Sequence, residues 1–73
     1  MNKATLQTWI RATIEEINLP ISAEDLTILL KEKFSKEEKI TVNRVKIILN
    51  QLQAAGIIRS FFNESANETF YLT

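Results

Sequence analysis

The chain has 73 residues, equal numbers of basic and acidic side chains, and a pI near 6.2. It contains no cysteine and no histidine, which excludes disulfides, Ser-His and Cys-His triads and the usual zinc ligand sets. Its apolar runs are far shorter than a membrane span, and its first residues lack the apolar core of a signal peptide. We therefore expect one domain over residues 1–73, in the cytoplasm, with no membrane association, no metal, no cofactor and no enzymatic activity.

The first predicted helix covers about residues 4–17. Asn18 can end this helix, and the residue before Pro20 avoids the helical region, so the chain becomes extended there. Ile21 is then predicted to form a very short strand. The apolar face of the helix, read at helical spacing, holds Leu6, Ile10, Thr13 and Ile17, with Trp9 and Ile14 on its flanks.

A second helix is predicted over about residues 22–34. Ser22 and Asp25 have the spacing of a capping box, and acidic residues in the first turn suit the positive end of the helix dipole. Ile28 and Leu29 lie off the apolar stripe. That stripe consists of Ala23, Leu26, Leu30 and Phe34. Residues 35–39 are predicted to be a charged loop.

The third predicted helix, about residues 42–55, has a start signal and a stop signal. Thr41 can cap its start, with a hydrophobic staple between Ile40 and Val45. Gly56 suits a left-handed stop, after which Ile57 can reach back toward the last turn. One face is apolar and consists of Val42, Val45, Ile48, Leu49 and Leu52.

Residues 57–72 alternate in the manner of a β-hairpin. Ile58, Ser60 and Phe62 are predicted to point one way, and the residues between them the other. Residues 63–68 are rich in turn formers, and residues 69–72 would form the return strand. The hairpin would pair with the strand at Ile21. The order predicts a mainly α fold with a small antiparallel β-hairpin, the winged helix-turn-helix of three helices plus a wing.

Positive charge gathers before and at the start of the third helix. Residues 31–46 contain six basic side chains against three acidic ones. In a winged helix this region lies close to the phosphate backbone of bound DNA. The alternative is a charged, solvated loop with no ligand.

Three segments resemble the N-terminal DNA-binding domain of the ferric uptake regulator family. They are ISAEDL at 21–26, LNQLQAAGII at 49–58 and FNESANETFYLT at 62–73. Thr5 and Leu6 match a Thr-Leu pair that opens a helix in that family. The resemblance covers about residues 5–73 and implies a winged helix that binds DNA.

The departures from the family narrow what the resemblance implies. The family's second domain, which dimerises and binds metal, has no counterpart in this sequence. Leu19 and Pro20 stand where the family has metal-binding histidines, so iron sensing is not expected. Lys46 and Ile47 stand where the family has a Tyr-Arg pair that approaches DNA.

The leading hypothesis is a metal-independent, DNA-binding transcriptional regulator whose third helix enters the major groove of double-stranded DNA. Amide side chains can pair with adenine, and Ile47 can touch a thymine methyl. Because monomers of this size bind weakly, a homodimer or a partner chain is implied. The candidate DNA-binding residues are Lys36, Lys39, Thr41, Asn43, Arg44, Lys46, Ile47, Asn50, Gln51 and Arg59.

The alternative is a winged helix that binds another regulator or complex rather than DNA. Zero net charge, the loss of the Tyr-Arg pair and two carboxylates near the wing tip, Glu64 and Glu68, favour this alternative. The candidate interface residues are Ile28, Leu29, Ile47 and Trp9. For Trp9 we favour core packing over a partner contact, and Leu29 can instead pack under the first helix.

Overall fold

A computed structural model describes residues 5–34 and 39–73. Within these ranges the chain forms three helices and a three-stranded antiparallel sheet with strand order β1-β3-β2. The predicted fold, three helices plus a wing, is confirmed. The elements are α1 (Leu6–Ile17), β1 (Ile21–Ser22), α2 (Ala23–Phe34), α3 (Val42–Ala54), β2 (Arg59–Asn63) and β3 (Glu68–Leu72).

Local capping sets the ends of α1 and the start of α2. The Thr5 hydroxyl accepts a hydrogen bond from the Thr8 N–H at 3.2 Å, so α1 begins one residue later, at Leu6. The predicted start at Ala4 lies outside the described residues. Asn18 ends α1 in the left-handed conformation with φ 54°. The Ser22 hydroxyl accepts from the Asp25 N–H at 3.2 Å, which is the helix-capping half of the predicted pair.

The ends of α3 follow the sequence signals closely. The Thr41 hydroxyl accepts a hydrogen bond from the Arg44 N–H at 3.2 Å. At the other end Gly56 has φ 76°, and its N–H donates to the Gln53 carbonyl at 3.0 Å. The Ile57 N–H donates to the Leu52 carbonyl at 2.9 Å, which completes a Schellman motif. The helix therefore ends at Ala54, one residue before its predicted end.

The core lies between the three helices and one face of the sheet. On α1 the fully buried residues are Ile10 and Ile14, whereas Ile17 is only partly buried, so the buried face is centred closer to Ile14 than predicted. Trp9 stacks on Phe34 with ring centroids 4.2 Å apart, as expected of a residue that packs against the core. The helical stripe of α2 also includes Thr27, whose buried hydroxyl donates to the Ala23 carbonyl at 2.7 Å.

The sheet joins the wing to the helices. Ile21 on β1 pairs with Tyr71 on β3, and both are buried. On the other side of β3, Phe61 pairs with Phe70 and Ser60 with Tyr71. The predicted start of the wing at residue 57 was too early, because Ile57 completes the Schellman motif before β2 begins.

The wing turn is shorter than predicted. Asn63 and Glu68 belong to the strands, so the turn covers residues 64–67. The Asn63 side-chain carbonyl accepts from the Ala66 N–H at 3.1 Å, and Asn67 takes a left-handed φ of 55°. These two asparagines supply the turn chemistry that the sequence indicated. Of the predicted loop at 35–39, residues 35–38 lie outside the described residues. Among the helices that the structure describes, none could cross a lipid bilayer.

Candidate nucleic-acid interface

The outward face of α3 carries a row of polar side chains. Asn43, Lys46, Asn50 and Gln51 are all exposed, and none forms a side-chain hydrogen bond with a described residue. On the opposite face Val45, Leu49 and Leu52 are buried in the core and hold the helix in place. Four of the predicted DNA-binding residues thus share one free surface, which is set on a rigid element.

Three other predicted DNA-binding residues lie around the start of α3. The Arg44 guanidinium donates to the Lys39 carbonyl, and Arg44 is partly buried. The Thr41 hydroxyl accepts the capping hydrogen bond, which leaves its proton and one lone pair available to a ligand. Lys39 is exposed, and Lys36 lies outside the described residues. This end of the helix places basic side chains beside the polar face, with Arg44 bonded to the backbone just before the helix.

A groove of about 380 Å³ separates α3 from the wing. Lys46 enters it from α3, Phe62 from β2 and Glu24 from the first turn of α2. The remaining lining residues are Ala23, Asn67, Glu68, Thr69 and Tyr71. Lys46 therefore faces a groove that also contains two carboxylates, and a phosphate placed there would meet both attraction and repulsion.

Tyr71 forms the floor of this groove. The residue is only 7% exposed, and its hydroxyl forms no hydrogen bond with a described residue. No buried side-chain oxygen or nitrogen in the described ranges lacks a partner, so solvent must reach this hydroxyl from the groove. Burial raises the pKa of Tyr71 above its ordinary value of 10. The hydroxyl is protonated at neutral pH, as an unshifted tyrosine also is, and it can donate a hydrogen bond.

Arg59 lies at the base of the wing rather than at its tip. Its guanidinium donates to the Thr73 carbonyl at 2.8 Å. The tip itself carries the exposed Glu64, with the partly buried Glu68 just beyond it. A wing with this charge arrangement offers phosphate little attraction.

The predicted protein-interface residues divide into two groups. Ile28 and Ile47 are exposed, at 56% and 58% of their surface, and are available to a partner. Trp9 and Leu29 pack against the core and offer less surface. Two residues that the sequence analysis did not single out, Phe61 and Phe62, are 44% and 57% exposed on β2.

The available signal for these two phenylalanines was their adjacency in a predicted strand, because alternation puts neighbours on opposite faces and at least one of them away from the core. The structure places Phe62 on the same face as the half-buried Ser60, two residues further along β2. The groove residue Glu24 was noted only as a favourable charge at the start of α2. Sequence spacing alone does not bring Glu24, Lys46 and Tyr71 together.

Comparison of the chain with known proteins finds no match to a family model, to a curated protein or to a solved structure. The resemblance to ferric uptake regulators therefore stays a prediction from the residues. Among the described residues, no group of three or more metal-ligating side chains comes together.

Proposed function

We propose that this chain is a transcriptional regulator that binds double-stranded DNA through α3. The observation that carries the proposal is the exposed polar face of that helix, held outward because Val45, Leu49 and Leu52 on the opposite face are buried in the core. A major groove is wide enough to admit one α-helix, and its base edges present donors and acceptors to side chains that have no partner among the described residues.

The residues divide into two roles in this proposal. Asn43, Asn50 and Gln51 would contact base edges, since an amide can pair with the donor and acceptor of adenine. Lys46 and Lys39 would hold phosphates, which position the helix on the duplex but carry no sequence information. Ile47, between these polar side chains, would contact a thymine methyl.

Electrostatics predict that binding to random DNA is weak. The net charge is zero, and Glu24 and Glu68 share the groove with Lys46. Each phosphate that a basic residue neutralises adds about 0.9 to the slope of log affinity against log salt. With two or three such contacts we expect a shallow salt slope for a monomer, of about 2–3.

The experiment is an amide NMR titration of the labelled chain with a mixed-sequence duplex, at several salt concentrations. We expect shifts confined to α3, to the residues before it and to the groove, and reversed by salt. Lys46→Ala should lower the salt slope by about 1. Arg11→Ala is the matched control, because Arg11 is an exposed basic residue on α1, outside the basic segment 31–46, and it should leave the slope unchanged.

A second expectation concerns the groove carboxylates. Glu24→Gln should strengthen binding to random duplex, because it removes a charge that shares the groove with Lys46. Equal affinity for the wild type and this variant, together with an unchanged slope for Lys46→Ala, would overturn the assignment of Lys46. An absence of shifts at millimolar duplex and low salt would overturn DNA binding itself.

A second candidate function is binding to an apolar surface of another protein. The specific observation in its favour is that Ile47 and Phe62 are both more than half exposed, and that Lys46, the chain neighbour of Ile47, lines the same groove as Phe62. Exposed apolar groups that cluster, rather than occur singly, mark interfaces. Ile47→Asp would abolish such binding, whereas Asn50→Ala, a neighbouring exposed position on α3, would leave it largely intact.

A further inference from the structure

β2 is the longer of the two edge strands of the sheet, with five residues against two in β1. Because the strand order is β1-β3-β2, the outer edge of β2 pairs with no described strand. Backbone N–H and C=O groups along such an edge are ready to pair with another strand. Natural edge strands are commonly protected by proline, by bulges or by several charges, and Arg59–Asn63 contains a single charge and no proline.

Exposed apolar side chains concentrate at this edge. Six large hydrophobic residues are exposed in the described ranges, and three of them are Ile57, Phe61 and Phe62. Phe61 stacks on Phe70 with ring centroids 5.9 Å apart. These two rings lie on the sheet face opposite Tyr71, because Phe61 pairs with Phe70 and alternation sends Tyr71 to the helix side. The stack therefore covers no core and remains open.

The charges along the edge run from positive to negative. Arg59 stands at the start of β2, where its guanidinium donates to the Thr73 carbonyl, and Glu64 follows directly after the end of β2. If a second β2 lies antiparallel to the first, Arg59 of each copy lies opposite Asn63 of the other, one residue from Glu64. The guanidinium has further N–H donors besides the one bonded to Thr73, and these can turn toward that carboxylate. A parallel arrangement would instead place like charges together. The charge order thus selects the antiparallel, two-fold arrangement with a second copy of the same strand.

We propose that two copies of this chain associate by antiparallel pairing of their β2 edges, about a two-fold axis that passes beside Phe61. In this register Phe61 lies opposite Phe61 of the second copy, and Ser60 lies opposite Phe62. The two three-stranded sheets become one six-stranded sheet, with both Phe61–Phe70 stacks on the same face. Such an isologous contact is closed, so it stops at a dimer.

The contact is small, and the dimer is correspondingly weak. Stable interfaces bury about 1,600 Å² in total, more than a five-residue strand edge can provide. We therefore expect self-association at chain concentrations of about 0.1–1 mM. The proposal does not depend on DNA binding, and its test contains no DNA.

The test is a charge exchange followed by sedimentation equilibrium. Arg59→Glu puts two acidic groups side by side at each end of the contact, and Glu64→Arg puts two basic groups there. Each variant alone should associate at least tenfold more weakly than the wild type. A 1:1 mixture of the two variants restores both opposite-charge contacts, so it should form a heterodimer with at least wild-type affinity.

The matched control moves the same charges to α1. Arg11→Glu and Glu15→Arg change the net charge by the same amounts at exposed positions away from β2. Each of these variants alone should associate as the wild type does. If they lose association as much as the β2 variants, net charge rather than the β2 edge governs it, and the proposal is wrong.

Amide NMR shifts and lysine substitutions give two further tests of the β2 contact. Concentration-dependent amide shifts in the wild type should map to residues 57–64, and Phe61→Lys should abolish them, whereas Ile28→Lys should not. A chain that stays monomeric at 1 mM, or shifts that map to Ile28 or Ile47 instead, would overturn it. Circular dichroism of each variant checks that the fold is retained.

Discussion

Two regions of this molecule treat their aromatic side chains in opposite ways. Where α1 meets α2, Trp9 and Phe34 stack in parallel with ring centroids 4.2 Å apart and pack against the core. On the wing, Phe61 stacks on Phe70, and Phe62 borders a groove, yet both β2 residues are about half exposed. The first pair holds elements of the fold together. Because Phe61 and Phe62 are about half exposed, we expect them to stabilise the fold less than the first pair does. Their exposed faces are available for binding.

The largest expected effect on stability comes from the aromatic pair between α1 and α2. Phe34→Ala removes the partner of Trp9 and should lower the free energy of unfolding by about 2 kcal/mol, less than for a fully buried phenylalanine because Phe34 is only partly buried. Phe62→Ala should change it by about 0.5 kcal/mol or less. Urea unfolding followed by circular dichroism measures both. Similar losses for the two variants would show that the wing aromatics are structural as well.

The turn that joins α3 to the wing should give an intermediate effect on stability. Gly56 sits between α3 and the wing with φ 76°, and an added Cβ would meet nothing within 4 Å. Gly56→Ala should therefore cost about 1 kcal/mol from the left-handed backbone alone, without a steric clash. Gly56→Asn should cost less, because asparagine tolerates this conformation better. Equal costs for the two variants in urea unfolding would argue against a backbone origin.

The smallest effect belongs to an ion pair on the helical side. The Lys33 ammonium donates to a Glu16 carboxylate oxygen at 2.7 Å, and this hydrogen bond, with the lysine charge, lowers the pKa of Glu16 below its ordinary value of 4.5. A lowered folded-state pKa gives a stabilisation that is present above pH 4.5 and disappears as the pH falls through the folded-state value.

The stability difference between the wild type and Glu16→Gln should accordingly be small at neutral pH and vanish in acid. Thermal unfolding at a series of pH values measures it. Glu15→Gln provides the control on the same helix, since Glu15 is exposed and has no ion pair with a described residue. A difference that grows in acid would contradict this account.

Local signals in the sequence predicted local structure well. Thr41, Gly56 and Asn18 mark helix ends because a cap depends on the few residues around it. The exact centre of the buried face of α1 was missed, because helical spacing groups Ile17 with Ile10 but does not show that Ile17, the last residue of the helix, is only partly covered. Burial of Thr27 was missed because threonine is polar. Its hydroxyl donates a hydrogen bond to the Ala23 carbonyl in the same helix, which allows the side chain to be buried.

The part of the candidate site that lies on one helix was predicted, because it depends on local spacing. The part that depends on several elements was not. The outward position of Asn43, Lys46 and Asn50 follows from helical spacing, which is a local property. The groove is formed by residues of α2, α3 and the wing, which are far apart in sequence, so no local pattern predicts it. Phe62 is 57% exposed, and its exposure depends on what packs against the hairpin, which strand alternation does not encode.

The position of β3 has a consequence for how the chain folds. It is the middle strand of the sheet, and it comes after both of its neighbours in the sequence. The three helices precede β3, so they can assemble before any strand has its partner. Ile21 lacks its partner Tyr71 until β3 docks, and the edges of β1 and β2 are exposed to other chains during that interval. A chaperone that covers β-strand edges would act on the chain before β3 takes its place.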